Sequence, residues 1–209
     1  MILKNRIDAG ERLADLLTKY IDDDLVVYAL PRGGVVLGDI IAKRLQAPLD
    51  LAFVKKIGHP MNREYALCAV VEDGDTSCND IEIASFSKNW LNGVIIDAKV
   101  EMKRQRETYL KGKEYINPKD KVVIIVDDGI ATGLSMIVTL KNMRKKEPKK
   151  IVVAIPVCPL EEAKKLESLC DELVCLQVDP YYLGAVSMYY EDFQQVEDKE
   201  VIRILQERR

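Results

Sequence analysis

Two adjacent carboxylates, Asp127 and Asp128, end a run of five aliphatic residues, Val122 to Val126. They lead into Gly129, Ile130, Ala131, Thr132, Gly133, Leu134 and Ser135. Ionised carboxylates only accept hydrogen bonds, so an adjacent pair suits vicinal hydroxyls such as those of ribose. The backbone N–H groups of a short glycine-bearing loop, followed by a helix start, can hold a phosphate. Thr132 and Ser135 add hydroxyl donors to that loop. One stretch therefore offers receptors for a ribose ring and for its 5′-phosphate. A second cluster, Pro31-Arg32-Gly33-Gly34, joins the rigid donor fork of Arg32 to two glycines that let backbone approach a ligand. A third runs from Lys55 and Lys56 through Gly58, His59 and Pro60 to Arg63. Its basic residues suit neutralisation of a departing anion. His59, the only histidine, is a candidate acid or base there.

Each cluster needs an element to hold it. An apolar run such as Val122–Val126 fits a strand buried on both faces of a parallel sheet, and open α/β sheets bind ligands at the carboxyl ends of their strands. Leu25 to Leu30 reads as a strand of the same kind, broken by Pro31. Helical patterns run from Asn5 to Tyr20, Val35 to Leu45 and Lys88 to Lys111. Leu49 to Val54 predicts a second strand and Tyr65 to Val71 a third. The polar stretch Lys55 to Arg63, with Gly58 and Pro60, predicts a loop, and Glu72 to Asn79 a turn. After the carboxylates come a helix from about Thr132 to Lys145, a strand at Ile151–Ile155, a helix from about Leu160 to Leu169, a short strand at Leu173–Leu176 and a last helix at Lys199–Leu205. This alternation predicts an α/β fold, a parallel sheet of about five strands flanked by helices with right-handed crossovers. If the strands ending at Leu30 and Val126 are neighbours at a switch point, their loops share one crevice. The order 3-2-1-4-5 meets that condition.

Other phosphate-binding patterns are excluded. Gly129 and Gly133 are too close together for a Walker loop, and Leu134 stands where that loop needs Lys. No Gly-x-Gly-x-x-Gly occurs. The thirteen positions from Val123 to Ser135 instead resemble the signature of type I phosphoribosyltransferases: a hydrophobic strand, two acidic residues, a few small or apolar residues, then Thr-Gly and a small or hydroxyl residue. Nearly the full length is similar to a stand-alone bacterial group of predicted phosphoribosyltransferases. The shared features are Pro-Arg-Gly-Gly, the Lys-Ile-Gly stretch, Val-Asp-Asp-Gly-x-Ala-Thr-Gly and a late Tyr-Glu-Asp-Phe.

The resemblance implies the order 3-2-1-4-5 and a single domain over residues 1–209, with a small hood from parts of 1–20 and 178–209. It implies transfer of phosphoribose from phosphoribosyl pyrophosphate, with Mg²⁺, to a nitrogen nucleophile such as a nucleobase. In that reading Asp127 and Asp128 hold the ribose hydroxyls. Gly129, Ala131, Thr132, Gly133, Leu134 and Ser135 hold the 5′-phosphate. Arg32, Gly33 and Gly34 take pyrophosphate with Lys55 and Lys56, and the stretch from Lys55 to Arg63 is a mobile loop that closes over it. Catalysis rests on Asp127, Asp128, Arg32, Lys55 and Lys56, with no direct metal ligand assigned. Enzymes of this family that act on 6-oxopurines carry an acidic residue where this chain has Ala131, so hypoxanthine or guanine is not the expected acceptor. Two alternatives stay open: a regulator of the same fold that senses phosphoribosyl pyrophosphate or a nucleotide without turnover, and a hydrolase of the activated sugar.

Composition bounds the rest. Over 209 residues, 48% hydrophobic and 31% charged content marks a soluble globular chain. A net charge of −3 leaves no footprint for nucleic acid, and the basic run Lys141–Lys150 reads as a solvated helix end with Pro148 as stop. No apolar stretch approaches membrane-spanning length and the first residues lack a signal-peptide core, so a cytoplasmic protein without a membrane partner is expected. Its partners are then phosphoribosyl pyrophosphate and a small-molecule acceptor, with a homodimer left open. The five cysteines form no Cys-x-x-Cys pair, which with one histidine argues against a zinc site and predicts free thiols. Asp179 to Phe193 holds five aromatic rings in fifteen residues. They suit either a stacking wall over the ribose site or core packing for the last helix.

Overall fold

The computed structural model of the chain describes residues 2–73 and 75–208, with backbone alone at Arg63, Glu64 and Asp80. Asn5 starts the first helix by accepting the N–H groups of Ile7 and Asp8, and α1 spans Arg6–Leu17. Then follow β1 (Leu25–Ala29), α2 (Gly33–Arg44), β2 (Leu49–Leu51), β3 (Val54–His59), β4 (Asn62–Val71) and β5 (Thr76–Cys78). A short α3 (Asp80–Ile83) precedes α4 (Lys88–Leu110), whose N-cap Ser87 accepts the N–H of Trp90. The chain continues through β6 (Val122–Val126), α5 (Leu134–Arg144), β7 (Lys150–Pro159), α6 (Leu160–Glu167), β8 (Glu172–Asp179) and α7 (Asp198–Gln206).

Five parallel strands form the main sheet in the order β2-β1-β6-β7-β8. Its strands alternate sides at every residue. Val27, Ala29, Ile124 and Val126 face a core shared with α1, α2, α4 and α7. Val26, Tyr28, Val123 and Ile125 face a second core with α5 and α6. Both faces are covered, so β1 and β6 read as unbroken apolar runs rather than alternating ones. Each such side chain contributes roughly 1.5–3 kcal/mol on burial, so strands of five residues suffice. Among the described residues no helix is long and apolar enough to cross a membrane.

Three expectations are corrected here. Tyr65–Val71 does not extend the parallel sheet. It lies in β4, the centre of a separate three-stranded sheet β3-β4-β5, and the fifth parallel strand is the late β8. The reason is connection length: only Pro60 and Met61 separate β3 from β4, which permits an antiparallel hairpin, whereas a parallel neighbour needs a crossover of about a dozen residues. The stretch Lys55–Arg63 is accordingly no loop but this hairpin. Finally, the thiols are not all free. The register of β4 against β5 sets Cys68 directly opposite Cys78, with Cα atoms 4.0 Å apart, and they form a disulfide. Cys158, Cys170 and Cys175 remain thiols.

The two terminal segments meet. Leu3 and Tyr190 form a parallel bridge, with Leu3 N–H donating to the Tyr189 carbonyl and Glu191 N–H to the Leu3 carbonyl, each at 2.8 Å. In the aromatic segment Tyr189 and Tyr190 are buried, as core packing requires, while Tyr181 is 86% exposed. The basic run pairs with the chain's own acids: Arg144 with Asp171, Lys145 with Asp75, Lys146 with Asp73, Lys149 with Asp23 and Lys150 with Glu172.

Titration of the denatured, unreduced protein with a thiol reagent is expected to count three cysteines, rising to five after reduction. Cys78→Ser should lower unfolding free energy by about 2–3 kcal/mol, the size of effect a bridge over a short loop gives. A count of five before reduction would disprove the pairing.

Candidate functional site

Parallel pairing of β1 with β6 brings their carboxyl-end loops side by side, and the Leu30 N–H donates to the Val126 carbonyl at 2.9 Å. The peptide between Pro31 and Arg32 is cis, and α2 starts immediately after it at Gly33. The two glycines make the contact possible. A Cβ on Gly33 would stand 1.8 Å from Asp128 Oδ2, and one on Gly34 would stand 2.8 Å from the Val126 carbonyl oxygen. The first-strand loop therefore lies directly on the carboxylates. Beyond them, buried Ile130 anchors the next loop through its N–H to the Val157 carbonyl at 2.9 Å. Ala131 and Thr132 are exposed, and Gly133 turns left-handed (φ 68°) to begin α5. The first N–H groups of that helix lack intrahelical partners.

The two carboxylates sit in unlike surroundings. Asp128 Oδ2 accepts from Arg6 Nε at 2.8 Å, and its backbone carbonyl accepts the Tyr190 hydroxyl at 2.7 Å. Arg6 Nη1 donates to the Gln194 carbonyl at 2.6 Å, and its guanidinium lies 3.8 Å from the centre of the Phe193 ring. Asp127 Oδ1 accepts the Asp128 N–H at 2.8 Å. Loss of solvent pushes the Asp127 carboxyl well above the usual carboxylate range, and the neighbouring Asp128 charge pushes it the same way. The Asp128 N–H and the charge of Lys56 offset part of this.

The pyrophosphate candidates are divided. Arg32 Nη1 pairs with Asp198 Oδ1 at 3.3 Å, and the Tyr109 hydroxyl donates to the same oxygen at 2.7 Å. Burial, then Asp198, pushes the Tyr109 phenol up to about 12. Arg32 and Lys55 line a cavity of about 580 Å³ with Glu101, Arg104, Tyr109 and Asp198. Lys55 and Lys56, both exposed, are consecutive on β3, so one faces that cavity while the charge of the other reaches Asp127. His59 sits at the hairpin turn, where Nδ1 accepts the Met61 N–H at 3.0 Å and the ring meets Phe86 edge-on. The Arg63 side chain lies outside the described residues. Sequence reasoning missed Arg6, Tyr109 and Asp198, which carry no local signal. Tyr190 and Phe193 were visible in the aromatic segment Asp179–Phe193 and in the shared motif, without the contacts they make here.

A carboxylate pair and a helix-start loop at the switch point of a five-stranded parallel sheet fit the phosphoribosyltransferase class of α/β folds. The comparisons agree. The family described as "Phosphoribosyl transferase domain" matches residues 2–192. Two strains of Mycobacterium tuberculosis carry a protein named "Putative phosphoribosyl transferase", 35% identical over 209 aligned residues, 98% of this chain and 46% of theirs. The chain thus spans about half the length of the curated relatives it matches. The crystal structure of TT1426 from Thermus thermophilus superposes with a TM-score of 0.83 at 35% identity, covering 99% of each chain. A hypothetical protein from Neisseria gonorrhoeae with bound ppGpp shares the fold alone, at a TM-score of 0.51 and 11% identity over 100% of this chain and 99% of its own. The chain belongs to the phosphoribosyl transferase domain family.

Two outcomes test this geometry. Gly33→Ala should displace Asp128 and cost about 1–3 kcal/mol of unfolding free energy, the usual penalty of overpacking. Gly93→Ala, on an exposed turn of α4 with nothing within 4 Å of the added carbon, should instead gain about 0.5–1 kcal/mol. Equal effects would refute the contact. The raised Asp127 carboxyl favours its protonated form in the fold, so ionisation costs stability as pH climbs from the ordinary carboxylate range toward the raised value. Asp127→Asn should therefore raise Tm at pH 7, by about 2–4 °C for each kcal/mol relieved, and change it little near pH 4.

Proposed function

We propose that this protein transfers phosphoribose from phosphoribosyl pyrophosphate to a nitrogen nucleophile, releasing pyrophosphate. The observation that carries the reading is the contact of Gly33 with Asp128, which joins the two strand-end loops into one crevice beside the start of α5. Asp127 and Asp128 receive the ribose hydroxyls. The loop from Gly129 through Ala131, Thr132, Gly133 and Leu134 to Ser135 receives the 5′-phosphate with its backbone N–H groups and two hydroxyls. Gly33 and Gly34 offer backbone to pyrophosphate. Arg32 joins them by exchanging Asp198 for a phosphate oxygen.

The reaction breaks the bond from C1 to pyrophosphate and forms one from C1 to nitrogen. Positive charge grows on the ring and negative charge on the leaving group. Protein assistance is then mainly placement and electrostatics. Lys55 and Arg32 stand on the leaving-group side, while Lys56 stands nearer the carboxylates. Asp127 and Asp128, the second already tied to Arg6, offer hard carboxylate oxygens of the kind Mg²⁺ takes. An ion that keeps most of its waters and draws further ligands from phosphate suits such a site. Held near Asp127 and Asp128 with the substrate, it would neutralise charge on pyrophosphate. Ala131, exposed at the loop, offers no carboxylate to a 6-oxopurine, which favours another acceptor.

The test is pyrophosphate release with a panel of acceptors. Stimulation by one nitrogen base supports transfer. Release without any acceptor means hydrolysis, and binding of phosphoribosyl pyrophosphate without release means a sensor. With the true acceptor, Lys55→Ala combined with Lys56→Ala should lower kcat by about ten- to a hundredfold and raise KM less, because the charge they meet grows in the transition state. Normal turnover by the double variant would remove the β3–β4 hairpin from the mechanism.

A further inference from the structure

The carboxylate pair has its ion-pair partner in a residue that no motif contains. Arg6 lies in the first turn of α1, and its side chain is only 11% exposed. It makes three directed contacts, one with each neighbour that matters. Nε meets Asp128 Oδ2 at 2.8 Å, Nη1 meets the Gln194 carbonyl at 2.6 Å, and the guanidinium face rests 3.8 Å from the Phe193 ring centre. The Tyr190 hydroxyl holds the backbone of the same aspartate at 2.7 Å. Gly33 completes the enclosure, since a Cβ there would stand 1.8 Å from Asp128 Oδ2 and 3.0 Å from Arg6 Nε. Asp128 is thus gripped by the start of the chain, by the segment 190–194 and by the first-strand loop.

Resting on the reading proposed above, we propose that Arg6 is a positioning residue for the ribose. By occupying Oδ2 of Asp128 it fixes that carboxylate and leaves Oδ1, together with Asp127, as the oxygens offered to the sugar hydroxyls. A free aspartate at a loop tip rotates about two bonds, and its neighbour's like charge drives it away. A guanidinium stacked on an aromatic ring is itself immobile, so it transmits that rigidity to the carboxylate. The Arg6–Asp128 pair also carries the one positive charge in direct contact with the two acids, the only ion pair either forms among the described residues. Arg6 does not touch the substrate in this arrangement; its effect is read through Asp128.

Calorimetric binding of two probes to the full chain separates this role from a structural one. Ribose 5-phosphate needs both the carboxylates and the phosphate loop, whereas inorganic phosphate needs the loop alone. Arg6→Gln should weaken ribose 5-phosphate by about tenfold, since Asp128 loses the charge-assisted bond that orients it, and leave inorganic phosphate within about twofold. Arg6→Lys, which keeps the charge but not the fork, should recover part of the loss. Tyr190→Phe, which frees only the backbone of Asp128, should show a smaller loss of the same selectivity and guards against a poorly folded Arg6 variant. Equal weakening of both probes by Arg6→Gln would overturn the proposal in favour of a general support of the fold, and unchanged binding of both would overturn it outright. Failure of the unaltered protein to bind ribose 5-phosphate, while it binds inorganic phosphate, would instead bring down the ribose assignment on which the proposal stands.

Discussion

Holding two carboxyl groups on consecutive residues, at the end of a strand with both faces buried, is unfavourable, and most of the crevice answers that cost. Asp127 and Asp128 cannot move apart, because β6 is pinned in register between β1 and β7. Their repulsion is met from different directions. Arg6 pairs with one acid, a backbone N–H serves the other, and Lys56 lends charge across the crevice. The raised Asp127 carboxyl expresses its loss of solvent first and the residual repulsion from Asp128 second. Sites that keep such tension usually use it, since the group meant to relieve it is the ligand.

The sequence made the central strands legible because their chemistry is local. Runs such as Leu25–Leu30 and Val122–Val126 are apolar at every position, and only a strand covered on both sides needs that. The loops at their ends were legible for the same reason, as glycine, Arg and acid positions are set by short-range geometry. Hairpin β3–β4 was not. Gly58 and Pro60 are turn residues, and they do mark the hairpin's tip and a break in its register, but the polar residues flanking them resemble a loop. The disulfide was equally hidden, since Cys68 and Cys78 become partners only once the antiparallel register is known. Arg6 lies 122 residues from Asp128, and a lone Arg in a helix's first turn carries no pattern to mark that partnership.

The small antiparallel sheet is joined to the large fold on two sides. Just after β4, Glu72 accepts Arg106 Nε of α4 at 2.7 Å, and Arg106 also donates to buried Asp50 in β2. Ahead of β5, Asp75 accepts Asn142 of α5 and Lys145, the residue that caps this helix. The strand bearing Lys55 and Lys56 is therefore referenced both to the first-strand side and to the signature side of the crevice. Basic groups on a braced hairpin lose less freedom on meeting an anion than groups on an open loop.

The bridge between Leu3 and Tyr190 means that the chain enters its fold at the lip of the crevice, next to the residues that grip Asp128. A protein module attached ahead of Leu3 would emerge there and not on a remote face. A short flexible tether at such a point keeps its cargo at an effective concentration on the order of millimolar around the opening. An affinity tag placed ahead of Leu3 would likewise emerge beside the residues that hold Asp128.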